Sequence, residues 1–216
     1  MRKPDFIERL ERGERVTLVV YGTSLSFHLA PILRPFLEKQ YGDRVQVVNS
    51  GLAGRASRTA LQLLDDKVIR HRPDALLMEW AVNDAHDYFH EPDALDAGVA
   101  PDESRRNLET LVERVQAALP KCEILLWTTN PTFDASGSTM RSGSARPDLN
   151  LYYQGVREVA WARGLRVIDA ETFWDSLRVS DESDFRALIP DGAHPTPKAL
   201  RERLVPFLMR EWGVSD

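Results

Sequence analysis

Val16-Thr17-Leu18-Val19-Val20-Tyr21, followed at once by Gly22-Thr23-Ser24-Leu25-Ser26, decides how the rest of the chain reads. A run rich in Val and Leu, without strict alternation, fits a strand buried on both faces. The glycine and hydroxyl residues behind it make a short polar turn at the strand's carboxyl end. Four further apolar runs repeat the pattern, at Val45–Asn49, Ala75–Met78, Ile124–Trp127 and Leu165–Ile168. Helical spacing lies between them. Leu108, Leu111, Val112, Val115 and Leu119 form one stripe, closed by Pro120. Tyr152, Val156, Val159 and Ala160 form another, with Gly164 placed as its C-terminal cap. Thr196-Pro197 reads as N-cap and first residue of a last helix carrying Leu200, Leu204 and Phe207. Strand and helix alternate from end to end. The expected architecture is therefore α/β, a five-stranded parallel sheet with helices on both faces, built as one domain over residues 1–216.

Some segments fit that scheme poorly. Pro31 and Pro35 fall where a helix should follow Ser24, and Pro35 should disturb its first turns. Pro206 interrupts the last helix. The stretch from Pro131 to Pro147, rich in Ser, Gly and Thr, reads as a long loop overhanging the sheet edge.

Bulk properties remove several function classes. The chain has 216 residues, a formal charge of −5 and a pI near 5.6. Its Lys and Arg are scattered, with Arg105-Arg106 on a solvated helix face, so no basic patch awaits a nucleic acid. No stretch approaches the roughly 18 apolar residues of a membrane span. Met1 to Arg15 is strongly charged and lacks an apolar signal-peptide core. Cys122 is the only cysteine, so no intrachain disulfide forms, and its apolar neighbours mark it as a buried inert thiol. The expectation is a cytoplasmic protein whose partner is a small molecule.

In parallel sheets, sites gather at the carboxyl ends of strands. Ser24, Gly54 and Asn83 each follow a predicted strand within a few residues, so they should converge. Ser24 can be a helix cap or a nucleophile, with Ser26 as a nearby rival. A Ser hydroxyl needs a base, and Asp191-Gly192-Ala193-His194 places a carboxylate three residues before an imidazole. His28, one helical turn after Ser24, is the rival base, though no Asp is locally placed to orient it. Gly54 offers an exposed N–H and Asn83 an amide donor, with Gly51 competing for the glycine role. Asp84, His86, Asp87, His90 and Asp93 crowd together, and His86 and His90 have i, i+4 spacing. A metal site is one reading of that cluster. Without a His-Glu-x-x-His pattern, a solvated loop beside the pocket is the preferred one. No metal and no cofactor is expected.

Taken together, these segments resemble the SGNH, or GDSL-type, hydrolase family from Val16 to about Pro195. Its first block looks like Gly22-Thr23-Ser24-Leu25-Ser26, with Thr23 where the family usually has Asp. Its second is similar to Asn49 through Arg58, its third to Ala81-Val82-Asn83-Asp84 with the usual glycine lost, and its last to Asp191 and His194. The resemblance implies a flavodoxin-like three-layer α/β/α sandwich. It also implies a serine esterase with catalytic Ser24, Asp191 and His194, and an oxyanion hole of Ser24, Gly54 and Asn83. The second block further resembles rhamnogalacturonan acetylesterases through Ala53-Gly54-Arg55 and Ser57-Arg58, a hint towards sugar esters.

The expected reaction is hydrolysis of esters with short acyl groups. Trp80 and Ala81 are expected to narrow the acyl side. Phe133, Met140, Arg141 and Arg146 of the long loop are expected to meet the substrate. The rival readings are a thioesterase or lysophospholipase on the same scaffold, and a non-catalytic carbohydrate binder that kept the fold.

Overall fold

The computed structural model describes residues 3–87, 96 and 98–214. Five parallel strands form one sheet: β1 (Val16–Tyr21), β2 (Val45–Asn49), β3 (Ala75–Met78), β4 (Glu123–Thr128) and β5 (Arg166–Asp169). Their order is β2-β1-β3-β4-β5. Tyr21 pairs with Met78 and Thr128 with Asp169, so the carboxyl ends lie level. From β1 the chain moves outward to β2, and from β3 it moves the other way to β4. The crevice between the ends of β1 and β3 is therefore the topological switch point, where open α/β sheets bind ligands.

Side-chain alternation gives each face its own core. Leu18 and Val20 of β1 join Leu29, Leu33, Leu37, Trp174 and Leu208 on one side. Val19 and Tyr21 join Leu64, Leu111, Val115 and Tyr153 on the other. The first layer holds α1 (Asp5–Glu11), α2 (Ser24–Tyr41), α7 (Ala170–Ser180), α8 (Glu182–Leu188) and the C-terminal helices. The second holds α3 (Ser57–Lys67), the short α4 (Ala81–Asp84), α5 (Pro101–Ala118) and α6 (Leu149–Arg163). The three-layer α/β/α sandwich is as the sequence implies.

The charged N-terminal segment, read only as lacking a signal peptide, contains a helix. Phe6, Ile7 and Leu10 of α1 are fully buried, and Phe6 meets the Trp212 ring edge-on at 5.2 Å. The proline expectations need correction. Helix α2 runs unbroken through Pro31 and Pro35. Pro31 cannot donate to the Phe27 carbonyl, but Asn49 Nδ2 donates to it at 2.9 Å instead. Both prolines also sit on the solvent side, where water can reach the freed carbonyls. Pro206 does not end the last helix either. The chain starts as α9 (Pro197–Ala199), widens into a π-type turn at Leu200–Leu204, and continues as α10 (Val205–Glu211). The wider turn accommodates a residue that cannot donate to the carbonyl four back. No helix among the described residues is long and apolar enough to cross a membrane.

Candidate active site

Ser24 is the first residue of α2, directly behind β1. Thr23 caps the helix, its Oγ1 accepting from Leu25 N at 3.3 Å. The turn thus leaves the Ser24 hydroxyl at the switch point, beside the positive end of an 18-residue helix dipole. Ser24 Oγ lies 2.8 Å from His194 Nε2. His194 Nδ1 lies 2.7 Å from Asp191 Oδ2. The other Asp191 oxygen accepts from the backbone N–H groups of Ala193 at 2.9 Å and His194 at 2.7 Å. Burial pushes the Asp191 carboxyl upward. Its bonds from the His194 and Ala193 amides and from the His194 ring outweigh that, so it is held below its ordinary value. It stays ionised, which orients His194 with Nδ1–H towards it and leaves Nε2 free to accept from Ser24.

The rival residues are placed elsewhere. The Ser26 hydroxyl is buried and donates to Glu79 Oε1 at 3.0 Å. The His28 ring stands edge-on to His194, with centroids 6.0 Å apart. Burial first, then the neighbouring His194 charge, lowers its proton affinity, with Asp191 opposing.

On the other side of the crevice, Asn83 in α4 donates through Nδ2 to the Arg55 carbonyl at 2.9 Å. That bond ties the loop after β2 to the end of β3 and leaves the second amide hydrogen for a ligand. Gly54 has φ +70°, a left-handed turn that exposes its N–H, and no described residue accepts from it. The Gly51 N–H is already donated to Asn49 Oδ1 at 3.1 Å. Asp84 fixes the same loop from behind. Its oxygens accept from Ser57 N at 2.7 Å and Ser104 Oγ at 2.5 Å. Burial pushes its carboxyl up to about 6. Arg58 forms a two-pronged pair with Glu103, at 2.6 and 2.8 Å.

The expected substrate contacts occupy different surroundings. Trp80 and Ala81 are each 2 % exposed, and Trp80 packs edge-on against Tyr21 at 4.8 Å. Both pack into the core around α4. Phe133 packs against Phe185 at 5.5 Å, with the Arg186 guanidinium over its ring. Arg146 is buried and donates to the Val82 and Ser142 carbonyls. Met140 and Arg141 remain on the surface and, with Arg146, His86 and Asp87, line a cavity of about 310 Å³. A much smaller cavity, about 10 Å³, lies beside the Ser24–His194 pair, lined by Leu25, His28, Trp127, Asn130, His194, Pro195, Leu200 and Leu204.

Two further placements concern other chemistry. His90 and Asp93 of the expected His86/His90 cluster lie outside the described residues. Among the described residues, no group of three or more His, Cys, Asp or Glu side chains is arranged to hold a metal. Cys122 is partly buried, and burial, with the Asp74 and Glu123 charges, pushes its thiol up to about 12. It is an unreactive thiol. Glu79 was not legible as a site residue, and it is taken up below.

A hydroxyl, an imidazole and a carboxylate in series, at the switch point of a parallel sheet, define a serine hydrolase. The particular family follows from comparison. Residues 21–201 match the GDSL-like lipase/acylhydrolase family, and the chain belongs to it. It is a carboxylic ester hydrolase. None of the curated proteins matches it in sequence.

Solved structures share the fold. One is a catalytic mutant of an acetylxylan esterase from Geobacillus stearothermophilus, with TM-score 0.77, 19% identity, and coverage of 94% of this chain and 96% of that one. Another is an α/β hydrolase from the metagenome of Lake Arreo, with TM-score 0.76, 20% identity, and coverage of 94% and 97%. A third is a GDSL-like lipase from Parabacteroides merdae, with TM-score 0.74, 16% identity, and coverage of 94% and 97%.

Proposed function

We propose that the protein deacetylates small acetylated carbohydrates through an acyl-enzyme on Ser24, without a cofactor. The observation that carries the mechanism is the unbroken chain Ser24 Oγ–His194 Nε2, His194 Nδ1–Asp191 Oδ2, at 2.8 and 2.7 Å. Ser24 Oγ attacks the ester carbonyl while His194 takes its proton. The tetrahedral oxyanion is met by the N–H groups of Ser24 and Gly54 and by the free Asn83 amide hydrogen. His194 returns the proton to the leaving alcohol, and the acetyl group stays on Ser24. Water then repeats the sequence, giving acetate and free enzyme.

Two features support a short acyl group. The cavity of about 10 Å³ beside His194 has room on the order of one water or methyl group. Its walls, Leu25, Trp127, Leu200 and Leu204, are apolar and almost fully buried, so enlarging it would open the core. The carbohydrate part draws on the acetylxylan esterase among the similar structures and on the second-block resemblance. The test compares acetylated xylo-oligosaccharides with p-nitrophenyl acetate, butyrate and octanoate. kcat/KM should be highest for acetyl esters and fall steeply beyond about four carbons, since mere loss of fit per methylene is worth only about 1–3 kcal/mol. Preference for octanoate or for a thioester would establish the lipase-like or thioesterase reading instead.

A further inference from the structure

Three of the four residues from Thr23 to Ser26 carry hydroxyl groups, and only one of these reaches His194. The reason lies behind the turn, at the end of β3. Glu79 is 1 % exposed, and its Oε1 accepts from Thr23 N at 2.7 Å, Thr23 Oγ1 at 2.8 Å and Ser26 Oγ at 3.0 Å. The Thr23 hydroxyl, having given its hydrogen to Glu79, keeps a lone pair for Leu25 N and so caps α2. Gly22 belongs to the same arrangement. A Cβ there would collide with Glu79 Oε1, the Glu79 carbonyl and Ser26 Oγ. Residues 22, 23 and 26 are therefore all fitted to one buried carboxylate, and Ser24 between them is left to the imidazole.

We propose that Glu79 is a positioning residue for the nucleophile. Its carboxylate withdraws the Thr23 and Ser26 hydroxyls, fixes the turn that presents Ser24, and makes threonine the required partner at position 23. An Asp at position 23, usual in the resembling family, would set a second carboxylate against Glu79 in a site without solvent, and one of the two would have to hold a proton. Position 23 and position 79 are thus a matched pair: a donor at one requires an acceptor at the other. The proposal rests on Ser24 being the nucleophile, and its test separates the two claims.

The experiment uses the full chain and p-nitrophenyl acetate. Glu79→Met keeps roughly the length but offers no oxygen, stranding three donors. Glu79→Gln can keep its amide oxygen in the Oε1 position, with its NH₂ at the partnerless Oε2, and should stay within several-fold of wild type. For Glu79→Met, kcat should fall on the order of 10–100-fold, as expected for a sub-ångström misplacement of a reacting group, with KM within about twofold. Thr23→Asp should lose at least as much. The double variant Thr23→Asp/Glu79→Gln removes the second buried carboxylate charge beside the Asp at position 23. It should recover about tenfold over Thr23→Asp alone, within the range of couplings seen for contacting residues. A merely space-filling role would give no such rescue.

If Glu79→Met does not fold, Thr23→Val and Ser26→Ala each remove one donor. Each should lower kcat several-fold without raising KM. Unchanged kcat in Glu79→Met, or in both donor deletions, overturns the proposal. So does a double variant that merely multiplies the two single losses. Phenylmethylsulfonyl fluoride labelling is run alongside. An adduct on Ser24 with no effect at Glu79 overturns the positioning role alone. An adduct on Ser26 overturns both that role and the assignment of the nucleophile.

Discussion

Asp191→Asn should abolish most activity while leaving the fold intact, and the structure dictates how. Asp191 Oδ1 accepts from two backbone amides, Ala193 N and His194 N, whereas Oδ2 faces only the imidazole. An asparagine has one acceptor and one donor end. Two fixed N–H groups at 2.9 and 2.7 Å compel the amide oxygen to occupy the Oδ1 position. Its NH₂ must then point at His194 Nδ1. The ring responds by accepting at Nδ1 and carrying its proton on Nε2. Nε2–H now faces Ser24 Oγ, and the base can no longer take the nucleophile's proton. The stabilising charge beside the imidazolium is also lost. The wrong tautomer costs on the order of 10⁴-fold in kcat, about 5 kcal/mol of transition-state stabilisation. The assay is kcat for p-nitrophenyl acetate from pH 6 to 9, with thermal melting as the control for folding. A well-folded variant whose kcat falls less than tenfold would refute the assignment of Asp191 as the group that sets the His194 tautomer.

Ser24→Ala should melt like the wild type and lose roughly 10⁴-fold or more in turnover, as measured on the same ester. Asn83→Ala should lower kcat by roughly 10²–10³-fold with little change in KM; raised KM at unchanged kcat would reassign it to ground-state binding. Burial lifts the Glu79 carboxyl to about 7, against an ordinary 4.5. The unfolded chain ionises first, so stability from this group falls as pH rises from about 4.5 to 7, by up to about 1.4 kcal/mol per pH unit. Urea denaturation at pH 5 and pH 8 should show that loss, and Glu79→Gln should lessen it; an identical pH dependence in the variant would be against it. Asn130→Ala should lower kcat by removing a support of the catalytic turn, a buried hydrogen bond worth about 1–3 kcal/mol once its partner is stranded; kinetics and melting distinguish a local loss from a global one.

Most of the sheet was legible because buried parallel strands are short apolar runs, and all five were where the hydrophobic pattern put them. Helix ends were legible where a cap residue marked them: Gly164 takes the left-handed cap of α6, and Thr196 Oγ1 accepts from Ala199 N at 3.1 Å. The reading failed where tertiary partners override local preference. Pro31 looks like a helix breaker until Asn49, from the next strand, supplies the missing donor. α1 was hidden because only Phe6, Ile7 and Leu10 interrupt its charges. That Ser24, Asp191 and His194 would meet was legible because a hydroxyl, imidazole and carboxylate in series need few residue types in fixed local arrangements. Trp80 and Phe133 were ambiguous because an aromatic residue near a site reads alike whether it lines a pocket or packs on the core. Glu79 was missed because a carboxylate just past a strand looks solvated until the fold closes over it. The available signal was the conjunction of a Thr at position 23 with a Glu at the end of β3.

The long loop after β4 shows how such a site keeps its geometry. Read from composition it is a long overhang, and in the structure it holds the Asp191–His194 turn by three successive carbonyls. Ser142 Oγ donates to Asp191 O at 2.9 Å, Phe133 N to Gly192 O at 3.0 Å, and Asn130 Nδ2 to Ala193 O at 2.9 Å. The loop is itself anchored, with Arg146 donating to the Val82 carbonyl and the Phe133 ring packed on Phe185. Each bond alone contributes only about 1 kcal/mol net. Acting on consecutive residues, they remove the freedom of a turn that would otherwise carry His194 through an arc. Since Arg146 reaches the backbone beside Asn83, displacement of the loop would move His194 and Asn83 together. Glu79 does for Ser24 what this loop does for His194. Nucleophile and base come from opposite ends of the chain, 170 residues apart, and each is fixed by a buried polar group on a neighbouring strand end. Their 2.8 Å contact thus joins two turns, each held from a neighbouring strand end.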